Sequence, residues 1–170
     1  MKGAVLYGSR DVRFEERVAP KIVEPIDAIV RLSASCICGS DLWPYRGISA
    51  TALPAPMGHE YCGVVEEVGS QVAKVRPGQF VIGSFSFSDN SCPHCLAGYQ
   101  SSCMHGQFVS GAQAPLLRVS LADGTLVPTP GTPPPELVPS LLSLWGRSSR
   151  STTTTPRRCG RRCAAWRPRS

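Results

Sequence analysis

No stretch of the sequence is apolar for long enough to cross a membrane; every hydrophobic run is short and broken by Gly, Pro or a charged residue. Residues 1–8 carry too short an apolar run for a secretory signal, so a cytoplasmic location is expected. Helical periodicity is sparse. No Gly-x-Gly-x-x-Gly follows a strand pattern, which excludes a dinucleotide-binding βαβ unit from the chain as read. Acid is missing from one region: residues 147–170 hold eight arginines and no Asp or Glu, against ten basic and twelve acidic side chains in residues 1–146. The formal net charge of +6 therefore belongs to the tail and says nothing about partners of the main body. Aliphatic residues are also scarce over 145–170, which excludes a packed core there.

The remainder is ordinary for a single globular domain, with 42% apolar residues in a chain of 170. Short strand patterns recur at 4–7, 12–15, 28–34, 63–68 and 79–85, separated by turn residues such as Gly8-Ser9-Arg10-Asp11 and Pro77-Gly78. Segments 116–119 and 125–127 flank Ala122-Asp123-Gly124, which predicts a hairpin. Helix is expected only after Gly39, near 97–102 and from Pro135. Many short strands with few helices predict a mainly β barrel or sandwich. Residues 128–144 read as a proline-rich connector leading into an apolar helix, and 145–170 as a disordered basic tail.

Eight cysteines are present: Cys36, Cys38, Cys62, Cys92, Cys95, Cys103, Cys159 and Cys163. Disulfide scaffolds belong to small exported domains, so clustered thiols here point to metal. The segment Asp89-x2-Cys92-x2-Cys95-x7-Cys103 lets two thiolates of a knuckle and a third from a short loop reach one tetrahedral ion. Asp89 stands either as the fourth ligand or as a turn-forming carboxylate beside Asn90 and Ser91. His94 and His105 are rival donors. A second constellation is Cys38-Gly39-Ser40-Asp41 followed by Gly58-His59-Glu60; a thiolate and an imidazole suit zinc, and Asp41 is placed to accept the second ring N–H of His59.

These motifs, in order with Tyr45-Arg46-Gly47, Gly63-Val64-Val65-Glu66-Glu67-Val68-Gly69 and Pro77-Gly78, resemble the zinc-dependent medium-chain alcohol dehydrogenases over residues 1–144. The resemblance implies a GroES-like, partly open β-barrel over 1–127 with few short helices and a small cysteine-rich lobe at about 86–106. It implies oxidation of an alcohol to an aldehyde or ketone with NAD or NADP, usually by a homo-oligomer. Cys38 and His59 match catalytic zinc ligands and Glu60 a carboxylate able to approach that zinc. Ser40 matches the hydroxyl that relays the substrate proton, and Asp41 the partner of the zinc-bound histidine. Asp89, Cys92, Cys95 and Cys103 occupy the structural zinc positions, with Asp89 where the family usually has cysteine.

Trp43 departs from the histidine many members carry, and Cys36 and Cys62 match no ligand, reading as buried thiols. The family's third catalytic ligand and its Rossmann domain find no counterpart. The expectation is therefore a truncated catalytic-domain fragment, inactive alone, whose tail arose out of frame. The alternative is a non-catalytic, zinc-stabilised binding module. The arginine tail has electrostatics for phosphate but no recognition element, so nucleic acid is not an expected partner.

Overall fold

The computed structural model describes residues 1–142, so the expected basic tail lies outside the described residues. Strands β1 (Lys2–Gly8) and β2 (Asp11–Glu16) form an antiparallel pair, and β4 (Ala55–Pro56) adds to the other edge of β1. A second sheet contains β3 (Ala28–Ser35), β5 (Tyr61–Val68), β6 (Phe80–Gly83), β7 (Leu116–Val119) and β8 (Leu126–Pro128), in the order β7-β3-β5-β6-β8. Neither sheet closes on itself, as the expected partly open barrel requires. The α-helices are single turns: α1 (Leu42–Tyr45), α2 (Pro93–Leu96), α3 (Ala122–Thr125) and α4 (Val138–Leu141).

Alternation along the strands builds two cores on opposite faces of the larger sheet. Ala28 and Val30 of β3, Tyr61 and Val65 of β5, Val81 of β6 and Leu117 and Val119 of β7 point into the main core. The intervening Cys62, Val64, Phe80 and Ile82 face a smaller cluster capped by Val138 and Leu141 of α4 and by Leu142. Each fully buried valine, such as Val30, Val81 or Val119, contributes about 1.5–3 kcal/mol relative to exposure. Between strands, Arg31 Nε pairs with Glu66 Oε1 at 2.8 Å on the solvent side, where an ion pair adds little.

The expected hairpin between β7 and β8 does not form. β7 pairs with β3 at one edge of the sheet, whereas β8 pairs with β6 at the other. Leu121 adopts a left-handed conformation with φ 52°, and Ala122–Thr125 closes a helical turn instead of a two-strand reversal. Asp123 is recruited by a distant loop, its carboxylate accepting the N–H groups of Ala73 and Lys74 at 2.8–3.2 Å. Ala122 is buried completely. Tertiary contacts thus override a local turn signal.

Candidate metal centres

The first cluster forms where the loop after β3 meets the approach to β5. Cys38 opens the 3₁₀ turn Gly39–Asp41, and the Asp41 carboxylate folds back to accept the Cys38 N–H through Oδ2 at 2.8 Å. That turn sets Ser40 and Asp41 against His59. Gly58 delivers the histidine with φ +92°, and a Cβ there would meet the Gln113 backbone nitrogen at 2.6 Å, so a larger residue would push the segment off its neighbour. His59 Nδ1 lies 3.3 Å from Asp41 Oδ1, and His59 Nε2 lies 3.0 Å from Ser40 Oγ. Donor atoms of Cys38, His59 and Glu60 all lie within 4.8 Å of one another.

Charge follows this geometry. The Asp41 hydrogen bond raises the His59 pKa to about 9, against the opposing effect of burial. Asp41 is lowered although burial opposes it, because His59 and the Cys38 N–H favour the carboxylate. Hydrogen bonds from Ser40 and His59 lower Cys38 toward the thiolate. Cys36 behaves oppositely: burial and the neighbouring Glu60 push it up to about 12. Its thiol donates to Glu60 Oε2. Cys62 is fully buried, as expected, while Cys36 is only partly so and supports Glu60. The signal for that contact was its position two residues from Cys38 along an extended segment.

A cavity of about 230 Å³ adjoins His59 and Asp41, lined further by Pro44, Met57, Val109 and Ser110. Trp43 is 60% exposed on α1 and is not among its lining residues.

The second cluster lies in the long connection between β6 and β7. Asp89, Cys92, Cys95 and Cys103 bring one ligand atom each to within 4.8 Å of the others. The Cys92 and Cys103 sulfurs are 3.9 Å apart. A tetrahedron with metal–sulfur arms of about 2.3 Å has edges of about 3.8 Å, so the spacing fits a thiophilic tetrahedral ion. Asp89 forms the turn that one reading expects and lies beside the three thiols. Its Oδ1 accepts the N–H groups of Ser91 at 2.8 Å and Cys92 at 3.0 Å, forming the turn, while the same carboxylate sits among the three thiols. Against the cost of burial, those N–H groups and His105 hold Asp89 well below the usual carboxylate range. Backbone N–H groups of Met104 and Cys95 lower Cys92, whereas burial raises Cys95.

Neither histidine joins the four donors. His94 Nδ1 contacts the Ser102 carbonyl at 2.7 Å, and His105 Nδ1 lies 2.6 Å from Asp89 Oδ2, a contact that raises the His105 pKa. Backbone bonds such as Leu96 N–H to the Cys92 carbonyl at 2.9 Å and Gly106 N–H to the Cys103 carbonyl at 3.1 Å shape the knuckle.

Residues 24–131 match the family described as alcohol dehydrogenase GroES-like domain. The chain is similar to medium chain reductase/dehydrogenase ucsI of Acremonium sp., at 40% identity over 136 residues, covering 76% of this chain and 47% of that protein. It is 36% identical to zinc-type alcohol dehydrogenase B of Aspergillus flavus, covering 76% of this chain and 32% of that one. Among solved structures, alcohol dehydrogenase TADH from Thermus sp. ATN1 superposes with a TM-score of 0.75 at 33% identity, covering 80% of this chain and 42% of that one. The chain thus spans less than half the length of these relatives.

Proposed function

This chain belongs to the alcohol dehydrogenase GroES-like domain family, and from that premise we propose that it is the metal-bearing part of a zinc-dependent alcohol dehydrogenase. The observation that carries the reading is the convergence of two separate donor sets, each within 4.8 Å, on one small barrel. Cys38, His59 and Glu60 are the proposed holders of a catalytic zinc, and Asp89, Cys92, Cys95 and Cys103 of a structural one. When bound in the first site, zinc supplies Lewis-acid character that makes an alcohol more acidic.

The chain's own residues do the rest. Asp41 fixes the imidazole from its Nδ1 side and so leaves Nε2 as the metal-facing atom. The Ser40 hydroxyl, 3.0 Å from that nitrogen, is within reach of a proton leaving an alcohol and can hold and pass it. Cys36 donates to Glu60 and holds its carboxylate at the cluster. Trp43, in place of the expected histidine, offers no proton acceptor beyond Ser40. The hydride acceptor would be NAD or NADP; every strand pairing among the described residues is antiparallel, so they supply no βαβ cradle for it. A small alcohol or aldehyde is the proposed substrate.

Metal analysis of the purified 170-residue chain tests this reading. A single tightly held zinc is expected, lost in Cys92→Ser and retained in Cys38→Ser, because the first cluster offers only one sulfur and one nitrogen donor. Two zincs resisting chelator equally would contradict that ranking, and none would contradict the reading as a whole. Assays with NAD, NADP and simple alcohols address the binding-module alternative: turnover abolished by chelator would exclude it.

A further inference from the structure

The histidine beside Asp89 has a role that its place in the sequence does not disclose. Oδ1 of Asp89 already accepts two N–H groups, from Ser91 and Cys92, and Oδ2 accepts Nδ1–H of His105 at 2.6 Å. A carboxylate offers about four acceptor sites, two on each oxygen. Three are therefore taken by N–H groups, leaving one site on Oδ2; the carboxylate's other contact is the Cys95 thiol, whose proton is lost when sulfur binds a metal. Without His105 the carboxylate would still be tied through Oδ1, but the terminal torsion of Asp is broad and Oδ2 would be free to swing. The His105 side chain is 67% exposed while that of Asp89 is 11% exposed, so the imidazole clamps a mostly covered carboxylate from the solvent side. A ring that exposed packs little core surface.

We infer that His105 is a positioning residue for Asp89, aiming the remaining acceptor site of Oδ2 at the ion held by Cys92, Cys95 and Cys103. The inference rests on the lobe being a zinc site, as proposed above. It goes further in giving an acidic ligand a dedicated partner, which three sulfurs alone would not need. Partners of this kind fix ligand orientation, and their loss typically weakens metal binding by about 10–100-fold. His94 supplies an internal control: it lies in the same lobe, is exposed, and contacts the Ser102 carbonyl rather than Asp89.

The test uses the full chain loaded with zinc and follows zinc transfer to a chromogenic chelator. His105→Ala should release zinc about tenfold faster than the unaltered chain. His105→Asn, whose side-chain N–H can stand where Nδ1–H stood, should recover most of the loss, and His94→Ala should release at the original rate. Equal rates for His105→Ala and the unaltered chain would overturn the inference. So would equal acceleration by His94→Ala, which would mean general loosening of the lobe. X-ray absorption at the zinc edge gives a second readout: an imidazole nitrogen in the shell that disappears in His105→Ala would make His105 a ligand and overturn its positioning role. A chain that takes up no zinc, or whose bound zinc is indifferent to Cys92→Ser, would defeat the metal-site reading itself and the inference with it.

Discussion

Tyr61 combines a ring buried to 1% exposure with a hydroxyl that finds no hydrogen-bond partner among the described residues. Burial alone pushes its pKa above the usual phenol range, so the side chain stays neutral at every working pH. A buried polar group left unpaired costs about 1–3 kcal/mol, so deleting the hydroxyl removes a penalty without removing a bond. Tyr61→Phe is expected to leave stability unchanged or raise it by about 1 kcal/mol, read as the midpoint of denaturant unfolding. A loss larger than that would mean the hydroxyl does have a partner. At this scale the sequence was informative where chemistry is carried by spacing. Cys92 and Cys95 stand out by their knuckle spacing, whereas Cys38 and His59 are singled out by the family resemblance; each pair lies in a cluster of donors within 4.8 Å of one another. The bond between His105 and Asp89 was not legible, because sixteen residues separate them and a loop decides the meeting. Cys36 reads from the sequence as a buried thiol; it is only partly buried and donates to Glu60, which arrives from another segment.

Between elements, the pairing of β5 with β6 carries a steric constraint. Tyr61 stands opposite Gly83 in the register, and its ring lies where a Gly83 side chain would be. A Cβ at that position would overlap the ring, which is rigid and already enclosed by the main core. Overpacking of this kind costs about 1–3 kcal/mol. Gly83→Ala should therefore destabilise the chain by that amount, and the penalty should shrink in a Tyr61→Ala background, giving a coupling energy of about 1 kcal/mol or more. Additive losses in the double variant would show that the glycine serves some other purpose. Strand positions themselves were readable from alternation, and all seven expected segments overlap observed strands, although β2 buries no residue on either face. Pairing partners were not. Nothing local tells 125–127 to leave β7 for β6, a pairing that goes with long-range contacts such as Asp123 with the backbone at Ala73 and Lys74.

For the molecule as a whole, the question is how a connection as long as residues 84–115 holds its shape with only α2 and one 3₁₀ turn inside it. Its two ends are anchored in the main core: Phe87 enters from one side, Val109 and Ala112 from the other. Ser88 adds hydrogen bonds to Thr125 Oγ1 at 3.1 Å and to the Gly124 carbonyl at 2.9 Å. Between these anchors, Leu96, Tyr99 and Met104 are 63–75% exposed, so the segment 89–106 buries few large side chains of its own. Hydrophobic burial does not account for its order; backbone hydrogen bonds such as those of Leu96, Tyr99 and Gly106 shape it, and the convergent thiols and carboxylate are the further source. On the proposed reading, metal bound there would contribute folding energy to the lobe and not to the barrel. Chelation should accelerate amide exchange across 89–106 while leaving 28–35 and 61–68 protected, since those strands are held by the two cores and their own ladder. Uniform acceleration through both regions would show instead that the lobe and barrel unfold as one cooperative unit, and the zinc would then have to be counted as part of the main core.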